Sequence, residues 1–347
     1  MTLHTSICDM LGIEYPIFAA GMGGVTMAPL TAAISAAGGC GVLGATFCRP
    51  DELRAEIRAV REITDKPFGV DLLIPGDIPE DLSAREVPPF PDFLEDLMPK
   101  VEGLKGNPPP PLTIELARAQ VEVTLEEKVP LMVSALGTPR WLIEECHAVG
   151  TKVMSMVGAV RHAKRLEDMG VDIIVAQGME AGGHVGTVTT MVLVPGVVDA
   201  VNIPVLAAGG IIDGRGIAAG MMLGAEGAWI GTRFIATEEA TAPEAHKQGI
   251  LKADENGTIV SRCYTGKPSR VLKNEFTSRW HGRDNELLPM PWQRMRVEKL
   301  VAPAKAVGMP EIANFPTGQA AGAINDIPKA ADVFQQMINE TEGALAR

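Results

Sequence analysis

One imidazole, His184, stands in the stretch "IIVAQGMEAGGHVG" (residues 173–186), where an apolar β-type run gives way to Gly178, Gly182, Gly183 and Gly186. Imidazole titrates near neutrality, so a histidine held beside a ligand can move a proton at a carbon acid. Glycine is entropically costly to order. Clustering it after a strand asks for positive φ angles or for a backbone that a ligand approaches closely. The plainer alternative is a loop histidine bonded to backbone, and the other glycine turns of this chain tip the balance toward catalysis. His4, His147, His162, His246 and His281 fall in the N-terminus, in helical stretches or late in the chain, without such a setting. Of these, only His281 in "RWHGRD" is a candidate to face substrate. Glu180 either orients His184 or is solvated, and Ser134, Ser155 and Met22 are candidates to line a pocket.

Three further turns share this composition: "GMGG" (Gly21, Gly23, Gly24), "AAGGIIDGRG" (Gly209, Gly210, Gly214, Gly216) and "IGTRF" (Gly231). The last two follow the seventh and eighth apolar runs. In a barrel of parallel strands those two positions commonly build a phosphate site from backbone N–H donors. "GMGGVT" puts Thr26 where the last glycine of G-x-G-x-x-G would fall, and no Walker sequence is present. The expected ligand is therefore a barrel-bound mononucleotide, with FMN as the candidate.

For these turns to meet, the chain must bring them to one rim. Apolar runs begin at Pro16, Cys40, Pro67, Pro130, Thr151, Val171, Pro204 and Gly227, separated by helical spacing such as "DELRAEIRAVREI" and "RHAKRLEDMG". Strands this apolar are covered on both faces, and eight βα units fit the TIM (β/α)8 barrel of the α/β class better than a doubly wound open sheet. Residues 1–240 read as the barrel, 241–316 as a smaller substrate lobe after strand 8, and 317–347 as a segment returning to the barrel. Residues 76–112 form a long excursion after strand 3, with nine prolines between 76 and 111. Leaving from the mouth of the barrel, the excursion is either a lid or a structural or oligomerisation loop. In the closing helix Asp326 is the expected N-cap, with Pro328 in the first turn.

The formal charge of −12 disfavours nucleic acid and acidic membrane surfaces as partners of the whole chain. Between Ser261 and Leu300, however, nine Lys or Arg face four Asp or Glu, a surplus that could steer an anionic substrate tail, a thioester carrier included, or simply be solvated. No apolar run reaches the roughly 20 residues of a membrane helix, and the N-terminal stretch lacks the pattern of a signal peptide, so the expected location is the cytoplasm. Cys8, Cys40, Cys48, Cys146 and Cys263 lack metal or disulfide spacing and read as buried thiols. No metal is expected.

Taken together, "AQGMEAGGHVG", "PVLAAGGIIDGRG", "GAWIGTRFIAT" and "GQAAG" resemble the nitronate monooxygenase family, formerly 2-nitropropane dioxygenases, whose relatives include FMN-dependent enoyl-acyl-carrier reductases. The resemblance covers nearly the whole chain and implies a TIM barrel that binds FMN. By matching motif it implies that Gln177 and Gly182 contact the flavin and that Gly210 and the run Trp229, Ile230, Gly231 and Thr232 hold its phosphate end. Gly21, Met22 and Gly23 would line the ring, with Gly183 and Gly209 counted among the binding residues of the same turns. His184 matches the family's active-site histidine. Asp71 stands where the family's third strand carries asparagine, and an ionised carboxylate there could accept but not donate hydrogen bonds and would disfavour an anionic reduced flavin. The implied reaction is oxidation of alkyl nitronates or nitroalkanes with O2 to a carbonyl compound and nitrite, His184 taking the α-proton of a neutral nitroalkane. The alternatives are a reductase or dehydrogenase acting on an acyl thioester, and a non-catalytic barrel that binds a phosphate metabolite. The partners expected are the small-molecule substrate and O2, with a homodimer admissible.

Overall fold

The alternation of apolar runs and helical spacing closes into a cylinder in the computed structural model, which describes residues 3–74, 87–104, 110 and 112–347. The strands are β1 (Ile17–Ala19), β2 (Cys40–Gly44), β3 (Phe68–Leu73), β4 (Leu131–Ala135), β5 (Lys152–Val157), β6 (Ile173–Gln177), β7 (Gly183–His184), β8 (Val205–Ala208) and β9 (Gly227–Ile230). All but β7 form the barrel, in the order β1-β2-β3-β4-β5-β6-β8-β9. Neighbours are parallel, and β9 closes the ring on β1 with Trp229 opposite Phe18. This is the TIM (β/α)8 barrel, not an open sheet.

Period-two alternation explains why the strands are apolar throughout. On β3, Val70 and Leu72 pack outward with Leu53, Ile57 and Val121 of the surrounding helices. Inside, Phe18, Val42, Val133, Met154, Val175, Leu206 and Trp229 fill the barrel, and Ile7, Cys8 and Leu11 of the helix Ser6–Leu11 join that cluster. The inward positions of β3 are Gly69, Asp71 and Leu73. All five cysteines are buried and unpaired. No helix among the described residues is long and apolar enough to cross a membrane.

After β9 the βα rhythm stops. Strands β10 (Thr258–Ser261) and β11 (Ser269–Leu272) pair antiparallel, and β11 also takes β7, with Ser269 opposite His184 and Arg270 opposite Gly183. The loop after β6 is thus stitched into a sheet made of much later chain. A second core of Tyr264, Phe276, Trp280, Val297 and Leu300 supports that sheet. Leu94, Leu97 and Val101, from the described part of the 76–112 excursion, belong to the same core. Ion pairs from Arg279 to Asp96 (2.7 Å) and from Lys100 to Glu275 (2.5 Å) fasten it there. That part is a docked element of the second core. The lid expectation for residues 76–86, 105–109 and 111 lies outside the described residues.

The closing helix spans Ala330–Leu345 and packs on the barrel's outer layer through Phe334, whose ring meets Tyr15 edge-on at 6.1 Å. Its N-cap is Lys329, not Asp326: the helix begins later than expected, Glu239 accepts from Ala330 N at 2.8 Å, and the Asp326 carboxylate pairs with the buried Arg233 guanidinium at 2.8 Å.

Candidate functional site

The strand C-termini and the second core enclose a cleft of about 1690 Å³. Ligand pockets usually run to roughly 300–1,000 Å³, so this one has room for a mononucleotide and a substrate together. Gly21, Met22, Gly23, Asp71, Gln177, Gly182, Gly183, His184, Gly209, Gly210, Trp229, Gly231 and Thr232 all line it. Ile230 does not. It is buried in the layer between barrel and helices, because it alternates with the inward Trp229.

At the floor, a Cβ on residue 21 would lie 2.2 Å from the Cβ of Asp71, so only glycine lets the turn after β1 cross β3. At the β8 end, Gly209 and Gly210 take φ of 103° and 73°, a pair of left-handed residues that β-carbons would strain. Among the described residues their amides donate to no carbonyl or side chain, which leaves two N–H groups free at the cleft. The helix that follows, Gly214–Met222, offers no anion site: Asp213 accepts from Gly216 N at 3.1 Å and Glu340 from Gly214 N at 2.9 Å. An anion at this rim therefore belongs to the turn rather than to that helix. Thr232 Oγ1 accepts from Gly318 N (2.8 Å), tying the "GQAAG" segment to the rim.

On the opposite wall, the β7–β11 pairing fixes the His184 backbone, and Gln177 Nε2 donates to the His184 carbonyl at 2.7 Å. His184 Nε2 lies 3.0 Å from Thr265 Oγ1. The Thr265 hydroxyl also reaches the Lys267 carbonyl at 3.2 Å; when its proton goes there, the imidazole donates through Nε2 and Nδ1 carries the free lone pair. Glu180 does not orient this ring. Its carboxylate accepts from Thr190 N and Thr190 Oγ1 (2.8 Å), at the start of the helix Thr190–Val198. Burial, then the nearby Lys267 and Arg294 charges, push the His184 pKa down to about 4. The ring is neutral at physiological pH, and with no carboxylate behind it the near-neutral titration expected from sequence does not hold.

Asp71 is 4% exposed, and burial pushes its carboxyl well above the usual range. The ionised form feared from the sequence is the disfavoured one here. Ser155 and Met22 line the cleft, whereas Ser134 donates to the Gly137 carbonyl outside the lining. His281 is exposed on the second core and away from the cleft.

Sequence reasoning missed several residues. His246 lines the cleft although it is 3% exposed, stacked on Phe315 at 4.6 Å and bonded to Thr317 Oγ1 at 2.9 Å. Nothing in its neighbourhood of sequence marks it. Thr265, Arg294 and Lys305 reach the cleft only through the packing of the second core. Of these only Arg294 had an advance signal, as part of the basic surplus from Ser261 to Leu300 that also contains Lys267. Among the described residues no group of His, Cys, Asp and Glu is arranged to hold a metal ion.

A family model described as nitronate monooxygenase matches residues 4–340. A putative monooxygenase of Mycobacterium tuberculosis is 38% identical over 366 residues, covering 97% of this chain and 96% of that protein. Among solved structures, FabK from Thermotoga maritima superposes with a TM-score of 0.82 at 35% identity, covering 99% of this chain and 98% of its own. A nitroalkane oxidase from Streptomyces ansochromogenes gives a TM-score of 0.86 at 29% identity, with 99% of each chain covered.

Proposed function

Because the chain belongs to the nitronate monooxygenase family and is an oxidoreductase, we propose that it uses FMN to oxidise alkyl nitronates with O2, yielding a carbonyl compound and nitrite. The observation that carries this reading is the charge of the cleft. Six cationic side chains (Arg140, Arg161, Arg165, Lys267, Arg294 and Lys305) line it against the carboxyl groups of Asp71 and Glu298, and His184 beside them is neutral. A base held at about 4 has little thermodynamic pull on a carbon acid, whereas a positive wall attracts a substrate that arrives already deprotonated. Nitronates therefore suit the site better than neutral nitroalkanes.

The donor set fits FMN. The free amides of Gly209 and Gly210 would hold the phosphate, and Gly21 to Gly23 with Gln177 would border the ring. When bound, FMN supplies the electron acceptance that no side chain here provides. The protein's part is to bind the anion through Lys267 and Arg294, to fix the imidazole through Thr265, and to receive a proton at Nδ1 when a neutral substrate enters. Arg294 is only loosely paired, 3.9 Å from Glu298. Arg294→Ala should raise KM for a nitronate about tenfold with kcat little changed, and the gap should shrink as salt is added. Equal KM values at low and high ionic strength would argue against electrostatic capture.

A second reading, reduction or dehydrogenation of an acyl thioester, is favoured by Arg140, Arg161 and Arg165, all exposed on the cleft wall, more cations than a small nitronate needs. Turnover of propionate 3-nitronate with O2, set against NAD(P)H oxidation with an enoyl thioester, separates the two. Purified protein that cannot take up FMN would overturn both and favour a non-catalytic barrel.

A further inference from the structure

The inner face of the barrel carries a buried carboxyl group with an oxygen that no described residue satisfies. Asp71 sits on β3 with Gly44 of β2 on one side and Val133 of β4 on the other, neither offering a polar side chain. Among the described residues its Oδ1 has no hydrogen-bond partner. Its Oδ2 lies 2.7 Å from where a Cβ of residue 21 would be, so the turn after β1 packs against this carboxyl without laying a side chain over it, and both residues line the cleft. Among the described residues no charged group acts on it, burial being the cause of its shift. The titratable residue of β2 is Cys40, which pairs with Phe18 at the far end of the strand and whose thiol burial pushes up to about 12. Strand β4 and residues 20–26 contribute none.

Burial alone thus acts on Asp71, and it favours the protonated form. A protonated carboxyl is a hydrogen-bond donor, and a buried polar group left without a partner is costly. An orphan of this kind at the floor of a ligand cleft is satisfied by the ligand. We propose that Asp71 acts as a neutral carboxylic acid that donates a hydrogen bond to an acceptor atom of the flavin ring seated above it. The assignment rests on the flavin reading and deepens it: the donor is the acid O–H of Asp71, and its donor function is lost when it ionises.

Infrared difference spectroscopy tests this on the apoprotein and again after FMN is added. The wild type at about pH 7.5 should show a carboxylic-acid C=O stretch that Asp71→Asn abolishes and that shifts when flavin absorbance reports binding. Asp71→Asn, which keeps a donor, should bind FMN within about twofold of wild type, and Asp71→Leu about tenfold more weakly. Thermal melting of each apoprotein shows that the variants are folded. Above the pH at which the stretch disappears, the flavin reduction potential of the wild type should fall more steeply than that of Asp71→Asn. Absence of the stretch near neutrality, or a stretch unmoved while flavin is visibly bound, would overturn the proposal. No flavin uptake at all would take the donor role down together with the flavin reading, and is recognised separately by the missing bound-flavin spectrum.

Discussion

His184→Asn is expected to lower kcat/KM for a neutral nitroalkane by about 10²-fold, the lower end of what a positioned general base contributes. The loss should be far smaller for the corresponding nitronate, whose proton is already gone. The low-end figure follows from the geometry. Burial and the charges of Lys267 and Arg294 hold the imidazole at about 4, and Glu180, which could have raised it, is committed to Thr190. The pH profile carries the sign. A base with that pKa is lost only as pH falls through about 4, so the wild-type rate on neutral substrate should show no limb near 6.5. Flavin absorbance should be unchanged in the variant, since His184 faces substrate. Equal losses on both substrates, or a wild-type limb near neutrality that the variant lacks, would remove this account of the histidine.

Lowering the pH from about 7 to about 5 should cost the wild type about 2 kcal/mol more stability than it costs His246→Asn. Burial is the main reason that the His246 pKa lies at about 4 in the folded protein, against an ordinary value of 6.5. The unfolded chain therefore binds this proton first. The stabilising contribution is complete above about 6.5 and is lost progressively as pH falls toward 4. His184 acts in the same direction, its pKa likewise held at about 4. Asp71 opposes them: its folded carboxyl keeps a proton that the unfolded chain releases above 3.8, so its contribution improves as pH falls. Subtracting the variant from the wild type cancels both. Urea denaturation at the two pH values measures the difference, and curves that stay parallel would contradict a buried neutral His246. The site is coupled to this residue, since His246 bonds Thr317 and a Cβ at Gly182 would come within 2.8 Å of the Thr317 carbonyl carbon.

The sequence alone determined the barrel and most of its rim. Eight doubly covered strands leave an unmistakable apolar rhythm, and glycine is forced where the chain turns left-handed, as at Gly209 and Gly210, or where a β-carbon would strike another segment's side chain, as at Gly21 against Asp71. The apolar rhythm and the left-handed turns are local requirements, so both are written locally. The tertiary structure alone decided what the site residues are bound to and how they are charged. That Gly183 and His184 form a strand with Ser269 and Arg270, that His246 turns toward the cleft, and that Glu180 serves Thr190 all depend on pairings between distant segments. The same holds for charge: His184 and Asp71 are both displaced toward their neutral forms chiefly because water is excluded around them. Exclusion of water is a property of the assembled walls, and no residue's neighbours in the chain reveal it.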